Sequence, residues 1–337
     1  MNQAGIKTYL IASLKGAAAC LLIWYLFKSG RLRADNLLRL LRSDSLPFLG
    51  LSAFAFMGSQ ILSSIRMMFL LKAIGLRTKF VPLFKLTMIG NFFNMVIPGT
   101  VGGDLIKGFY LTRFEETSRG RSSGIVAIDR VVGLIALSLF GFVSAIYVAT
   151  QYGSLFFPYH YELWGIITVS FIILATFFAT ILICKPKSIR QKIRNVVVKI
   201  FPSGFFLNLI EGLALITKEG RYISYSFLIS IAIQGISLAG LLNLVHLTGE
   251  NRPDMFALVA VSSIVMLLGV IPLTPGNIGW TEILATFGWA AVGAKGGAEV
   301  FLSWRIITVL CSLMGGLFYL FPSRLTDNHH KEVKGAV

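Results

Sequence analysis

The sequence predicts an all-α polytopic membrane protein, with six transmembrane helices and two re-entrant helical hairpins in an inverted-topology repeat. Three observations carry this expectation. Of 337 residues, 55% are hydrophobic and only 14% charged, where a soluble domain carries about a quarter charged. Six apolar runs approach the length of about 20 residues that a helix needs to cross a bilayer. Two further apolar stretches are interrupted by proline and glycine, and the two interruptions are alike. A mean hydropathy of +0.76 excludes an ordinary cytosolic enzyme and a disordered chain.

The first run, Thr8–Phe27, continues past Ala17-Ala18-Ala19-Cys20 into Leu21–Phe27, so it reads as an uncleaved span rather than a signal peptide. The segment Lys28–Asp44 follows with five bases. Its Arg31–Arg42 part, with Leu32, Leu37, Leu38 and Leu41, patterns as an amphipathic helix on the membrane surface. Leu46–Leu71 is the second span. Pro82–Thr112, broken at Pro98-Gly99, has arms too short to cross the bilayer comfortably at about 1.5 Å per residue. It reads as a re-entrant hairpin, with a single kinked helix as the alternative. Ile125–Thr150, Leu163–Cys184 and Tyr222–Val245 are the next spans. Met255–Val292, broken at Pro272 and Pro275-Gly276, is the second hairpin, and Val300–Phe321 is the last span.

Charge orients the chain. The 31 bases and 15 acids give a net charge of +16, with the bases gathered in short loops between apolar runs. Lys72, Arg77, Lys79, Arg113, Arg119, Arg121, the Lys185–Arg221 loop and the tail bases Arg324, Lys331 and Lys334 share one side. The loops Gln151–Glu162 and Thr248–Asp254 carry almost no base. The asymmetry predicts an inner-membrane protein with both termini cytoplasmic, and only Lys28–Asp44 dissents. No basic segment is interleaved with base-stacking aromatics, so nucleic acid is not an expected partner. Cys20, Cys184 and Cys311 lie far apart and suggest neither a metal site nor a disulfide framework.

The two breaks define a repeat. One reads Pro98-Gly99-Thr100-Val101-Gly102-Gly103-Asp104 and the other Pro275-Gly276-Asn277-Ile278-Gly279-Trp280-Thr281-Glu282. Each is followed by a span with an arginine near its start: Arg130 lies 32 positions after Pro98, and Arg305 lies 30 after Pro275. The expected division is a first repeat over 1–155 with its hairpin at 82–112, a second over 156–322 with its hairpin at 255–292, and a basic cytoplasmic tail over 323–337. Three spans separate the hairpins, so the halves would be inverted, an arrangement in which broken helices meet near the midplane.

Backbone groups freed by a break in the bilayer are tolerable only inside protein or beside a wet cavity. Gly99, Gly102, Gly103, Gly276 and Gly279 allow close backbone approach or positive φ, and the helix after each break offers free N–H groups to an anion. Tight packing of the hairpin is the alternative role for these glycines. Asn91 and Asn94 share a helix face and would satisfy freed backbone groups or contact a polar head. Asp104, Lys107 and Glu282 are charges in apolar surroundings, for which functional placement is the default. Asp129 and Arg130 are adjacent and cannot share a face, so different partners are expected. Arginine suits phosphate because its planar fork binds two oxygens together. Arg130 and Arg305 gain support from their matched positions, with snorkelling to the interface as the alternative. Arg66, near the end of the second span, has no such support.

Catalytic patterns are missing from the sequence. His160, His246, His329 and His330 stand near no nucleophile or metal-ligand pattern, and no nucleotide-binding Gly-x-x-x-x-Gly-Lys-Ser/Thr loop occurs. No enzymatic activity and no cofactor are expected.

Four features together resemble the transmembrane region of the lysylphosphatidylglycerol synthase family, the flippase-like integral membrane proteins. They are Asn94–Asp104, the Asp129-Arg130-x-x-Gly133 start of a span, Ile271–Glu282, and the length with short loops. The resemblance implies a protein that handles a polar lipid, its head anionic, aminoacylated or glycosylated, and moves it between leaflets. A lipid-modifying enzyme is a further expected partner if the chain presents lipid rather than transporting it. Lys107 stands where the family pattern leads one to expect arginine, which keeps the charge and loses the fork. Asn277 replaces a glycine, so it is expected to carry a positive φ itself. With little chain after the last span, no aminoacyl-transfer domain is expected. On this reading the backbone after Gly99 and Gly276, with Lys107, Arg130 and Arg305, holds phosphate, while Asp104 and Glu282 balance those bases or meet a cationic or sugar head.

Overall fold

The computed structural model describes residues 24, 25, 28, 43–76, 78–96, 102–114, 119–152, 165, 167–175, 220–248, 254–271, 273–274 and 277–320. All regular structure among them is helical: α1 (Leu46–Ala73), α2 (Phe80–Val96), α3 (Gly102–Phe114), α4 (Arg119–Tyr152), α5 (Gly220–Leu242) running into a 3-10 turn (Asn243–Thr248), α6 (Met255–Leu268), α7 (Trp280–Ala291) and α8 (Gly297–Leu320). Four helical stretches are long and apolar enough to cross a membrane: Leu46–Ala73, Gly124–Thr150, Arg221–Thr248 and Gly297–Leu320. They coincide with four of the six expected spans. The other two, Thr8–Phe27 and Leu163–Cys184, lie largely outside the described residues. So do the Arg31–Arg42 segment, the Lys185–Arg221 loop, the tail, and the Pro98-Gly99 and Pro275-Gly276 breaks.

Each broken stretch forms two short helices. α2 and α3, of 17 and 13 residues, pack on each other, as do α6 and α7, of 14 and 12. α1 packs along α5, α2 against α8, and α6 against α4. The first helix of each pair thus leans on the span that follows the other pair.

The faces are sorted as a bilayer demands. Large apolar side chains point outward, among them Phe54, Leu105, Leu228, Leu310 and Leu320, where lipid costs them nothing. Inside, apolar side chains such as Leu70, Ile89 and Leu241 pack with buried serines and threonines, since hydrocarbon provides no hydrophobic drive for helices to associate and close packing must do it. Along α1, Ser52, Phe56, Ser59, Arg66, Met67 and Leu70 are buried at the spacing of one helical stripe. Ser52 Oγ donates to the Gly240 carbonyl at 2.7 Å, and Asn243 Nδ2 to the Phe48 carbonyl at 2.8 Å, stapling α1 to α5. Trp289, fully buried, fixes α7 on α6 by donating from Nε1 to Ser262 Oγ at 3.2 Å.

Two glycines set the closest helix approaches around the first hairpin. A Cβ on Gly103 would lie 2.0 Å from the Gly90 carbonyl oxygen, and one on Gly315 would lie 2.0 Å from the Met88 carbonyl oxygen. Gly103→Ala and Gly315→Ala are each expected to destabilise by about 1–3 kcal/mol or more, the usual range of overpacking. Gly58→Ala, with nothing within 4 Å of the added methyl, should be neutral or slightly stabilising, because alanine favours helix. Thermal unfolding of the three variants in detergent provides the comparison.

Candidate functional site

The first hairpin is closed by its own polar groups. Asn94 Oδ1 accepts the Gly103 N–H at 2.7 Å, so this asparagine takes up a backbone donor of the outgoing helix. Asn91 Nδ2 donates to Gln60 Oε1 at 2.7 Å, tying α2 to α1. Asn94 thus meets a backbone group as expected, while Asn91 bonds another side chain instead. Gly102 and Gly103 are buried at the start of α3. Asp104, third in α3, pairs with Arg130 Nε at 2.5 Å, with side-chain exposures of 17% and 34%. Lys107, one turn on, is buried, with its stem against Gly90 and its ammonium within electrostatic range of Asp129 and Asp104.

The second hairpin repeats the pairing with different support. Asn277 adopts φ +57° and Gly279 φ +82°, so asparagine does carry a left-handed conformation here, which it tolerates better than most residues. Asn277 Nδ2 donates to the Gly269 carbonyl, closing the break onto α6. Glu282, third in α7 as Asp104 is third in α3, is 1% exposed and pairs with Arg305 Nε at 2.7 Å. Its other oxygen accepts from the Gly279 N–H at 2.7 Å and from Thr281 Oγ1 at 3.2 Å. Arg305 Nη2 donates to the Asn277 carbonyl at 3.1 Å and to Thr281 Oγ1. One donor of the anion site expected at this helix N-terminus, the Gly279 N–H, is taken by Glu282, because an acid at the third position reaches back to the N-cap. Gly99 and Gly276 lie outside the described residues.

A third pair went unforeseen. Arg66 is buried within the protein, 6% exposed. Its Nε donates to Asp129 at 2.7 Å and its Nη1 to Ser230 Oγ at 2.8 Å. Ser230 Oγ in turn donates to the Ser226 carbonyl at 2.8 Å. Asp129 and Arg130 thus have different partners, as their adjacency requires. Gly133 makes room for the pair, since a Cβ there would lie 3.2 Å from Arg66 Nη1. The signal that could have located Arg66 was the serine pair Ser226 and Ser230, one helical turn apart in a largely apolar span.

Arg130 and Arg305 meet across a cavity of about 240 Å³, whose lining also includes Gly269, Asn277, Thr281, Trp304 and Thr308. Among the sequence-selected residues, these two arginines and Asn277 reach it. Asp104 and Glu282 stand behind their arginines, and Asp129 belongs to the Arg66 pair. Two guanidiniums from matched positions facing one space can grip a phosphate through several charge-assisted hydrogen bonds.

The family profile described as "Lysylphosphatidylglycerol synthase TM region" matches residues 11–316. A UPF0104 membrane protein of Pyrococcus horikoshii is 22% identical, with 95% of this chain and 98% of that protein covered. A UPF0104 membrane protein of Methanothermobacter thermautotrophicus is 23% identical, with 86% and 85% covered. One of Methanocaldococcus jannaschii is 29% identical over 27% of this chain.

The buried Arg66–Asp129 pair yields a double-variant test. Arg66→Ala strands a buried carboxylate and should cost about 3–5 kcal/mol, whereas replacing both partners with apolar residues is often near neutral. Arg66→Met with Asp129→Leu should therefore recover most of the loss in detergent unfolding. Equal damage from the single and double variants would contradict this account.

Proposed function

Because the chain belongs to the lysylphosphatidylglycerol synthase TM-region family, we propose that it binds the phosphate-bearing head of a membrane lipid between Arg130 and Arg305 and carries it from one leaflet to the other. The observation that carries this reading is the convergence of those arginines, one from each half, on a single cavity. Its volume suits a head group, while the acyl chains stay among the outward apolar side chains of the helices. The matched acid–arginine pairs and the crossed packing of the hairpins support an inverted repeat, the architecture that lets a central site face either leaflet in turn. The cell inner membrane is the proposed location. In this proposal the protein contributes binding and a path, so net movement follows the lipid or ion gradient available.

The test is native mass spectrometry of the purified protein after mild delipidation, paired with transbilayer movement of fluorescent lipids in vesicles containing only this protein. Wild type should retain one class of anionic or glycosylated lipid. Arg130→Ala and Arg305→Lys should each lower its retention about tenfold or more, the size of a charged hydrogen bond. Lysine at 305 keeps a charge beside buried Glu282, so the loss reports the missing fork rather than a stranded acid. Bulk phospholipid retained equally by all three proteins would defeat the proposal. Specific retention without any transbilayer movement would instead leave a protein that presents lipid to a partner.

A further inference from the structure

Resting on the lipid-head reading above, we infer that Asp104 is the exchanging counter-ion of the site: an incoming phosphate displaces its carboxylate from Arg130, while Arg305 keeps Glu282 and acts as a fixed donor. A phosphate entering the cavity meets two guanidiniums that are both already paired, at 2.5 Å and 2.7 Å. To be gripped through the Nε edge of either guanidinium, it must replace the carboxylate already there. The two pairs differ in what the carboxylate would lose.

Glu282 cannot leave cheaply. It is 1% exposed, and it also accepts from the Gly279 N–H and from Thr281 Oγ1. Withdrawing it from Arg305 would leave a buried charge short of a partner and disturb the start of α7. Arg305 is further fixed by its bonds to the Asn277 carbonyl and Thr281. Asp104 is the looser member: it is 17% exposed and its arginine is 34% exposed. Sequence alone makes the two acids equivalent, each third in its helix. Burial and hydrogen bonding separate them into a lock and an exchangeable partner.

An internal carboxylate competing for Arg130 weakens binding of the anionic head and hastens its release, which a carrier needs in order to turn over. Asp104 is thus a positioning residue that acts through Arg130, and removing its charge should move binding and transport in opposite directions. A purely structural acid would not do that.

The experiment uses the full chain in phosphatidylcholine nanodiscs titrated with phosphatidylglycerol, and in vesicles reporting movement of fluorescent phosphatidylglycerol. Asp104→Asn should tighten phosphatidylglycerol binding about fivefold or more, the contribution of a partly exposed ion pair, and slow its transbilayer movement at an unchanged unfolding temperature. Glu282→Gln should instead weaken binding and lower the unfolding temperature. Unchanged or weaker binding by Asp104→Asn, with wild type binding normally, overturns the exchange while the lipid reading stands. Equal tightening by Glu282→Gln overturns the asymmetry. If Asp104→Asn does not fold, Asp104→Ser, whose hydroxyl can still accept a helix N–H, takes its place; failure of both makes Asp104 a structural lock and overturns the proposal. Wild type with no preference for phosphatidylglycerol over phosphatidylcholine defeats the lipid reading itself and the exchange with it. Displacement of bound phosphatidylglycerol by soluble glycerol phosphate, with the ester itself binding more tightly to Asp104→Asn, supports the exchange but assigns the site to phosphate esters in solution.

Discussion

An ionised side chain inside a bilayer must meet its opposite; among the described residues the buried Arg66–Asp129 and Arg305–Glu282 pairs organise the helices around that requirement, with Arg130–Asp104 as a looser third. Arg66–Asp129 joins α1 to α4, Arg130–Asp104 joins α4 to α3, and Arg305–Glu282 joins α8 to α7. Apolar contact cannot choose among helix arrangements in hydrocarbon, where lipid tails are as good a neighbour as leucine. A buried ion pair can, because only one arrangement leaves neither charge alone. The glycines at 90, 103, 133 and 315 then let the helices approach closely enough for the pairs and hairpins to form. Charge fixes which helices meet, and the missing side chains fix how near.

The two arginines that line the cavity are flanked differently. The residue before Arg130 is Asp129, bound to α1 through Arg66. The residue before Arg305 is Trp304, which packs edge-on to Phe56 of α1 at 6.3 Å between ring centroids and against Gly240 of α5. One is thus anchored beside a directional ionic contact, the other beside an aromatic ring seated on a glycine. Trp304, Met266, Val270 and Phe301 give the cavity apolar lining beside the two arginines.

Much of this was legible in the sequence, for reasons that differ by residue. The four described spans and both broken stretches were legible because twenty apolar residues in a row, or a Pro-Gly inside such a row, have few readings in a bilayer. The separate partners of Asp129 and Arg130 were legible because helical geometry forbids adjacent residues a common face. The positive φ of Asn277 followed from an asparagine standing at a glycine position. Arg66 was not legible, since an arginine near a span end looks the same in sequence whether it snorkels or pairs; only the position of α4 against α1, a tertiary fact, decides. The occupation of the α7 N-terminus by Glu282 was missed because the acid was read as a balance for Arg305 alone. Its place as third residue of the helix already allowed it to reach the Gly279 N–H. One carboxylate has two oxygens, and in a site where every donor must be answered, both are used.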